Sequence, residues 1–323
     1  MRHVISTEAQ RSSSCILCGA SDHEVVGTTD RHGDPLETVI CRDCGLVFSN
    51  PIPTDEDVRQ YYANEYRRSY KGVFHPKSKH VYRSGRRALQ RYEHARPWLA
   101  EGTRVLDLGS GGGEFVYLLR QRGIEARGVE PDEGYGGYSI SEYEIPVHIG
   151  PFQSATTADG EFDLITAHHV VEHLNEPLGV FRKALACLKT GGRFVVEVPN
   201  VESQLHAARH KWHYAHIFNY NPCTLALLGQ KAGFHVEQTT LVPHTEHVLT
   251  VFVKEDHPPR FAVDPENCER IKQSLASIED RDYFLSGHGL WRLSCSLRRI
   301  LREKLSVSES ESGRNVLDRM YAA

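Results

Sequence analysis

The stretch Arg104-Val-Leu-Asp107-Leu-Gly109-Ser-Gly111-Gly-Gly113-Glu-Phe-Val116 constrains the fold of this 323-residue chain more than any other. Val105 to Leu108 form a short apolar run, the pattern of a strand buried on both faces. Glycines at alternate positions then allow a tight turn, because residues without a Cβ tolerate left-handed backbone. Glu114 to Arg122 continue at helical spacing, with Phe115, Leu118 and Leu119 on one face. A buried strand that turns through glycine into a helix begins a βαβ unit, and βαβ units build parallel sheets. The alternation of apolar runs and helical patterns continues over 101–254, so the expected class is α/β with a doubly wound, mostly parallel sheet.

Four segments are expected: 1–50 with paired cysteines, 51–100 as a helical basic and aromatic linker, 101–256 as the α/β domain, and 257–323 as a helical extension. The net charge of −4 gives no global pull toward nucleic acid or an anionic membrane. No run reaches the ~18 apolar residues of a membrane span. Met1 to Ser14 are polar and lack the apolar centre of a signal peptide, so the cytoplasm is the expected compartment. In the extension, Leu290, Leu293, Leu297, Ile300, Leu301 and Leu305 share a helical stripe. That stripe reads as a packing face, with a homodimer contact or a lid as alternatives. The chain beyond the Ser/Glu-rich stretch Ser306–Ser312 is expected to fray.

Four of the eight cysteines fall in two CxxC pairs, Cys15/Cys18 and Cys41/Cys44, separated by 22 residues and each followed by glycine. Such a turn sets two thiolates about one tetrahedral edge apart, and two turns close a four-sulfur cage. The spacing predicts one structural Zn2+ in a zinc ribbon; an iron–sulfur cluster or redox thiols are the alternatives. Glu24 to Thr28 and Glu37 to Ile40 are expected as its strands, joined by a turn at Asp30–Asp34.

A lone glycine-rich turn also occurs in nicotinamide and flavin folds. Here Asp107-x-Gly109-x-Gly111-x-Gly113 resembles motif I of the class I S-adenosylmethionine-dependent methyltransferases, whose fold is Rossmann-like. Three further segments fit that resemblance in order. Ala126-Arg-Gly-Val-Glu130-Pro131 ends on an acid 17 residues beyond Gly113; Glu161–Leu174 looks like the fourth strand and its "EH" helix start; Gly191–Asn200 looks like the fifth strand. The resemblance covers 104–200. It implies that Asp107 engages the donor's ammonium and Glu130 its ribose hydroxyls. Gly109, Ser110, Gly111 and Gly113 would admit the carboxypropyl chain. Pro131, and Phe152 after Gly150 and Pro151, would flank the adenosine, while His168 and His169 line the crevice. Glu172 and His173 are expected to cap or brace the helix start.

More than half of the 19 histidines lie between His168 and His247. Trp212-His-Tyr-Ala-His216-Ile-Phe resembles an aromatic-rich segment of the zinc-ribbon sugar C-methyltransferases, followed here by Leu225–Leu228 and Ala232-Gly-Phe234. That resemblance implies His216 as general base, with Tyr214 and His213 behind it; bracing the pocket is the alternative. A second metal on His206, His210, His213 and His216 is a further option. The implied acceptor is a small molecule, foremost a nucleotide-linked or glycan sugar, and C- and O-methyl transfer both stay open. That family carries a further C-terminal α/β domain, and here only the helical tail follows. Tyr66–Arg96 holds ten Lys/Arg against one acid, interleaved with tyrosines, which suits a phosphorylated acceptor or a solvated basic helix. An RNA methyltransferase is the alternative, opposed by the acidic net charge and by the lack of an Asn-Pro-Pro-Tyr motif. A non-catalytic cofactor-binding scaffold is the third reading.

Overall fold

A computed structural model describes residues 13–54, 56–58, 76–204, 211–243, 245–277, 298, 302–303, 305–308 and 310–322. The chain divides into two compact units. One comprises Met1–Ser69, His168–Leu185 and Val195–Gly289; the other comprises Tyr70–Ala167, Ala186–Phe194 and Leu290–Ala323. Packing therefore groups the chain differently from the four consecutive segments that composition marks out.

In the first unit, β1 (His23–Thr29), β2 (Pro35–Cys41), β3 (Val47–Ser49) and β9 (Phe218–Asn219) form an antiparallel sheet in that order. The two ribbon strands and the turn at Asp30 lie where the sequence places them. Asp30 closes that turn by accepting the backbone N–H groups of His32 and Asp34 at 2.8 and 3.0 Å, the usual device of an aspartate turn. The apolar core here joins Leu36, Ile40 and Val47 to Val201, Trp212, Cys268 and Ile271, so residues far apart in sequence share one interior. The helix α5 (Pro222–Ala232) opens on a reciprocal Asn221/Thr224 capping box and stops at Gly233 in the left-handed region, φ 108°. Helix α6 (Asn267–Ala276) completes this unit, with β10 (His235–Leu241) and β11 (His247–Val253) as an antiparallel pair.

The second unit holds α1 (Ser78–Ala95), β4 (Arg104–Leu108), α2 (Glu114–Gln121), β5 (Glu125–Glu130), α3 (Glu133–Tyr143), β6 (Val147–Ile149) and α7 (Gly313–Tyr321). The strands β7 (Phe162–His168) and β8 (Leu188–Pro199) begin in this unit and end in the first; α4 (Pro177–Cys187) lies between them in sequence. Seven strands run in the order β10-β11-β8-β7-β4-β5-β6, with β4 parallel to β5 and β7, and β5 parallel to β6. The order steps outward from β4 to β6 and then resumes on the other side at β7. The switch point between β4 and β7 makes the sheet doubly wound, as expected.

Two expectations are corrected. The end of the chain does not fray: Val316, Leu317 and Tyr321 of α7 are buried, and the Tyr321 hydroxyl donates to the Glu114 carbonyl at 2.9 Å. Tyr117 also donates to Asp318 at 2.5 Å, so apolar burial and buried hydrogen bonds together hold this helix. The "EH" segment is not a helix start. Val171–His173 is a single 3-10 turn, and α4 begins only at Pro177, a residue suited to a first helical turn. Of the leucine stripe, only Leu305 lies among the described residues, and it is 79% exposed. His206, His210 and the start of the basic segment fall outside the described residues, whereas α1 carries its later part.

Leu317 is 0% exposed. Leu317→Ala is expected to cost about 2–5 kcal/mol, the usual range for a fully buried leucine, by urea unfolding. A loss below about 1 kcal/mol would show that α7 is not docked as described.

Candidate functional site

In the second unit the glycine turn and two strand ends build a cradle. Gly113 sits at φ 84°, and a Cβ there would lie 2.5 Å from Ile145 Cδ1, so both conformation and space demand glycine. Beside Gly111, also in the left-handed region, a Cβ would meet open space, which leaves this part of the turn approachable. Asp107, 3% exposed near the end of β4, accepts the Thr166 hydroxyl of β7 at 2.6 Å. Glu130, 7% exposed at the end of β5, accepts the Gly111 N–H at 2.7 Å and the Asp132 N–H at 2.9 Å. Burial outweighs these two bonds and lifts the Glu130 carboxyl to about 6. The Ser110 hydroxyl is buried without a hydrogen-bond partner among the described residues. Phe152 is buried in the turn after β6, while Pro131 is exposed.

Sequence reasoning read Glu114 only as the start of a helix. Its carboxyl is buried in the same cradle, and burial pushes it to about 7, with Asp107 adding like-charge pressure. The signal was present, since an acid opened the helix directly after the glycines, but nothing in spacing says which way it points. Three buried carboxylates around a glycine turn form a site suited to a cation.

The first unit carries a second cluster, of imidazoles and carboxylates. Glu197, on β8, accepts from His247 Nδ1 at 2.7 Å and lies 3.5 Å from His169 Nε2. His169 Nδ1 lies 3.4 Å from Glu172 Oε1, and His173 Nε2 lies 3.7 Å from the same oxygen. Burial alone would lower His169, but the two carboxylates win and hold it at about 9. Burial likewise works to raise Glu197 and is outweighed by His169 and His247, which keep its carboxyl far below the usual range. His169 itself stands at φ 58°, an uncommon conformation for a residue with a side chain. Glu172 is 2% exposed, and among the described residues neither carboxylate oxygen has a hydrogen-bond partner. Among the same residues, the buried Tyr220 hydroxyl also lacks one.

His216 stacks edge-to-face on His173 at 4.9 Å and on His213 at 5.1 Å between ring centroids. His173 Nδ1 donates to the Ala215 carbonyl at 2.7 Å, which fixes its tautomer, since a carbonyl only accepts. Burial, then the neighbouring imidazole of His173, lowers His216 to about 4; burial lowers His213 to about 3. Both rings are neutral at pH 7. Tyr214 instead packs against the apolar core that contains Trp212. Of the three expected catalytic residues, the structure thus brings His216 and His213 together and sets Tyr214 against the apolar core. His168 is buried at the end of β7.

The cysteine sulfurs pack as Cys15–Cys44 at 3.5 Å and Cys18–Cys41 at 3.4 Å, and all four ligand atoms lie within 4.8 Å of one another. These separations exclude disulfides, whose sulfurs sit about 2.05 Å apart. They approach the ~3.8 Å edges of a tetrahedron with ~2.3 Å metal–sulfur bonds. The four residues therefore fit a tetrahedral metal ion.

Residues 79–239 match the family model described as "Methyltransferase domain". Among curated relatives, a ubiquinone biosynthesis O-methyltransferase of Bordetella avium is 29% identical over 102 residues, which is 28% of this chain and 41% of that protein. The corresponding enzyme of Pseudomonas aeruginosa is 28% identical over 109 residues, 31% of this chain and 45% of that one. The chain thus spans less than half the length of these relatives. An S-adenosylmethionine-dependent methyltransferase from Mesorhizobium loti superposes with a TM-score of 0.43 at 16% identity, covering 51% of this chain and 97% of that one. With the doubly wound sheet and the glycine cradle, the match makes residues 79–239 a class I, S-adenosylmethionine-dependent methyltransferase domain.

Proposed function

We propose that this chain transfers a methyl group from S-adenosylmethionine to an oxygen of a small polyhydroxylated acceptor, foremost a nucleotide-linked or glycan sugar. The observation that carries the donor side is the trio of buried carboxylates Asp107, Glu114 and Glu130, because the donor bears an ammonium and a sulfonium. Asp107 engages the ammonium. Glu130 accepts the ribose hydroxyls, for which a carboxylate's four or so lone-pair sites leave room beside its two backbone bonds. Ser110, with Gly109, Gly111 and Gly113, receives the amino acid end. Pro131 and Phe152 flank the adenosine, and His168 lines the crevice. The orphaned Ser110 hydroxyl supports this fit.

On the acceptor side, His216 is the proposed general base and His213 its positioning neighbour. Its neutral imidazole takes the acceptor's hydroxyl proton. The oxygen's electron pair forms the new O–CH3 bond while the S–CH3 electrons return to sulfur, leaving S-adenosylhomocysteine and a protonated His216. Oxygen is preferred to carbon because the similar relatives are named O-methyltransferases. His169 belongs with this acceptor side, given its contacts to Glu172 and Glu197. Cys15, Cys18, Cys41 and Cys44 hold one Zn2+. With four sulfur ligands its part is structural, tying the two CxxC turns together.

Asp107→Ala is expected to weaken donor binding about 10–100-fold, the ~1.5–3 kcal/mol of a charge-assisted hydrogen bond, by calorimetry on folded protein. Unchanged affinity would overturn the donor assignment. Glu130 and Glu114 are raised to about 6 and about 7, and a cationic donor binds their ionised forms. Affinity should therefore rise with pH through that window and level off above it; a flat or falling profile contradicts the trio's role.

Elemental analysis of purified protein should find zinc, and Cys18→Ser should lose it. Iron in its place would contradict the ribbon reading.

Label from methyl-labelled S-adenosylmethionine should enter nucleotide sugars or glycan in a fractionated extract, with NMR placing it on oxygen. His216→Ala should slow turnover about 10²–10⁴-fold without changing donor affinity. Full activity would place the base elsewhere, and label in RNA would replace the acceptor class.

A further inference from the structure

We propose that His169, Glu197 and His247 form a divalent transition-metal site, separate from the four cysteines, that coordinates an oxygen of the acceptor. Its role in catalysis rests on the acceptor-side reading above; metal binding itself does not. The three residues come from three different parts of the first unit: directly after β7, within β8, and at the start of β11. Their ligand atoms all lie within 4.8 Å of one another. His247 Nδ1 stands 2.7 Å and His169 Nε2 3.5 Å from Glu197 Oε1. Ligands held ~2.1 Å from one ion at octahedral or tetrahedral angles are about 3.0–3.4 Å apart, so small side-chain adjustments admit a cation.

The surroundings supply what a metal histidine needs. A ligating imidazole usually donates its other N–H to a carboxylate, which fixes the ring and raises its basicity. Glu172 Oε1, 3.4 Å from His169 Nδ1, is placed for that role. Glu172 adds to the case, since it is 2% exposed and, among the described residues, both of its oxygens lack a hydrogen-bond partner. The left-handed backbone of His169 fits a side chain aimed by function, because such strain persists where surrounding structure enforces it.

Two histidines and one carboxylate leave coordination positions open, the pattern of a catalytic rather than a structural ion. Imidazole with carboxylate favours zinc, cobalt, iron or nickel over magnesium or calcium. A hydroxyl bound to such an ion loses its proton more readily. That matters beside His216, a base that burial has weakened. A separate trio, His235, Glu255 and His257, has two exposed members and serves as a control.

The test is a Co2+ titration of the full chain with its cysteine-bound zinc retained. The expected result is one added equivalent whose visible bands lack thiolate charge transfer. Glu197→Gln and His247→Ala should each weaken this binding at least tenfold, and Glu255→Gln should leave it intact. His169→Asn, which tolerates the same backbone, should also weaken it; unchanged S-adenosylmethionine affinity in each variant reports an intact fold. No added equivalent, thiolate charge transfer in the new bands, or loss only in Glu255→Gln would overturn the site. Methylation without a second metal sinks this site and leaves the proposed function standing. A second metal at these residues without methylation of any acceptor does the reverse.

Discussion

Burying carboxylates along the sheet's strands and in the turn that follows β7 is the constraint on which the rest of this molecule depends. Asp107 and Glu130 in one unit, and Glu172 and Glu197 in the other, are all buried. Removing such a charge from water costs several kcal/mol unless partners compensate. Each compensation also does structural work. The Thr166 hydroxyl on Asp107 ties β7 to β4 at the switch point. The Gly111 N–H on Glu130 fixes the shape of the glycine turn against β5. In the first unit, the imidazoles of His169, His173 and His247 rather than backbone groups carry the burden.

The cysteine region belongs to the same structural unit as His213 and His216. The Arg31 N–H donates to the Trp212 carbonyl at 2.9 Å, and the Ser49 N–H donates to Ile217 at 2.9 Å. Strand β3 pairs with β9, just past His216, and Lys231 donates to the Ile16 and Leu17 carbonyls within the first CxxC turn. Asn267 reaches the Cys44 carbonyl at 2.8 Å. A metal that orders the CxxC turns thereby also orders the backbone that carries His213 and His216. These bonds would couple the proposed structural zinc to the proposed acceptor chemistry, although four sulfur ligands leave such an ion no open position.

The strand–glycine–helix pattern was legible because local rules determine it: an apolar run, a turn only glycine tolerates, and a helical repeat. The paired cysteines were legible for the same reason. The 3-10 turn at Val171–His173 was not, since its His173 side chain is held by the Ala215 carbonyl and the His216 ring, both distant in sequence. Glu114 was hidden for a related reason, because periodicity cannot tell an acid facing solvent from one turned into a cradle. Docking of α7 on the second unit was missed because Ser/Glu-rich composition dominated the reading of the tail. The buried trio Val316, Leu317 and Tyr321 was the signal that composition masked.

The most direct test of the account is a crystal structure of the full chain with S-adenosylhomocysteine. The account predicts the ribose hydroxyls on Glu130, the amino acid end beside Ser110 and Gly111, and the ammonium toward Asp107 and Glu114. A nucleoside bound away from the ends of β4 and β5, with Glu130 still engaged only by Gly111 and Asp132, would contradict it.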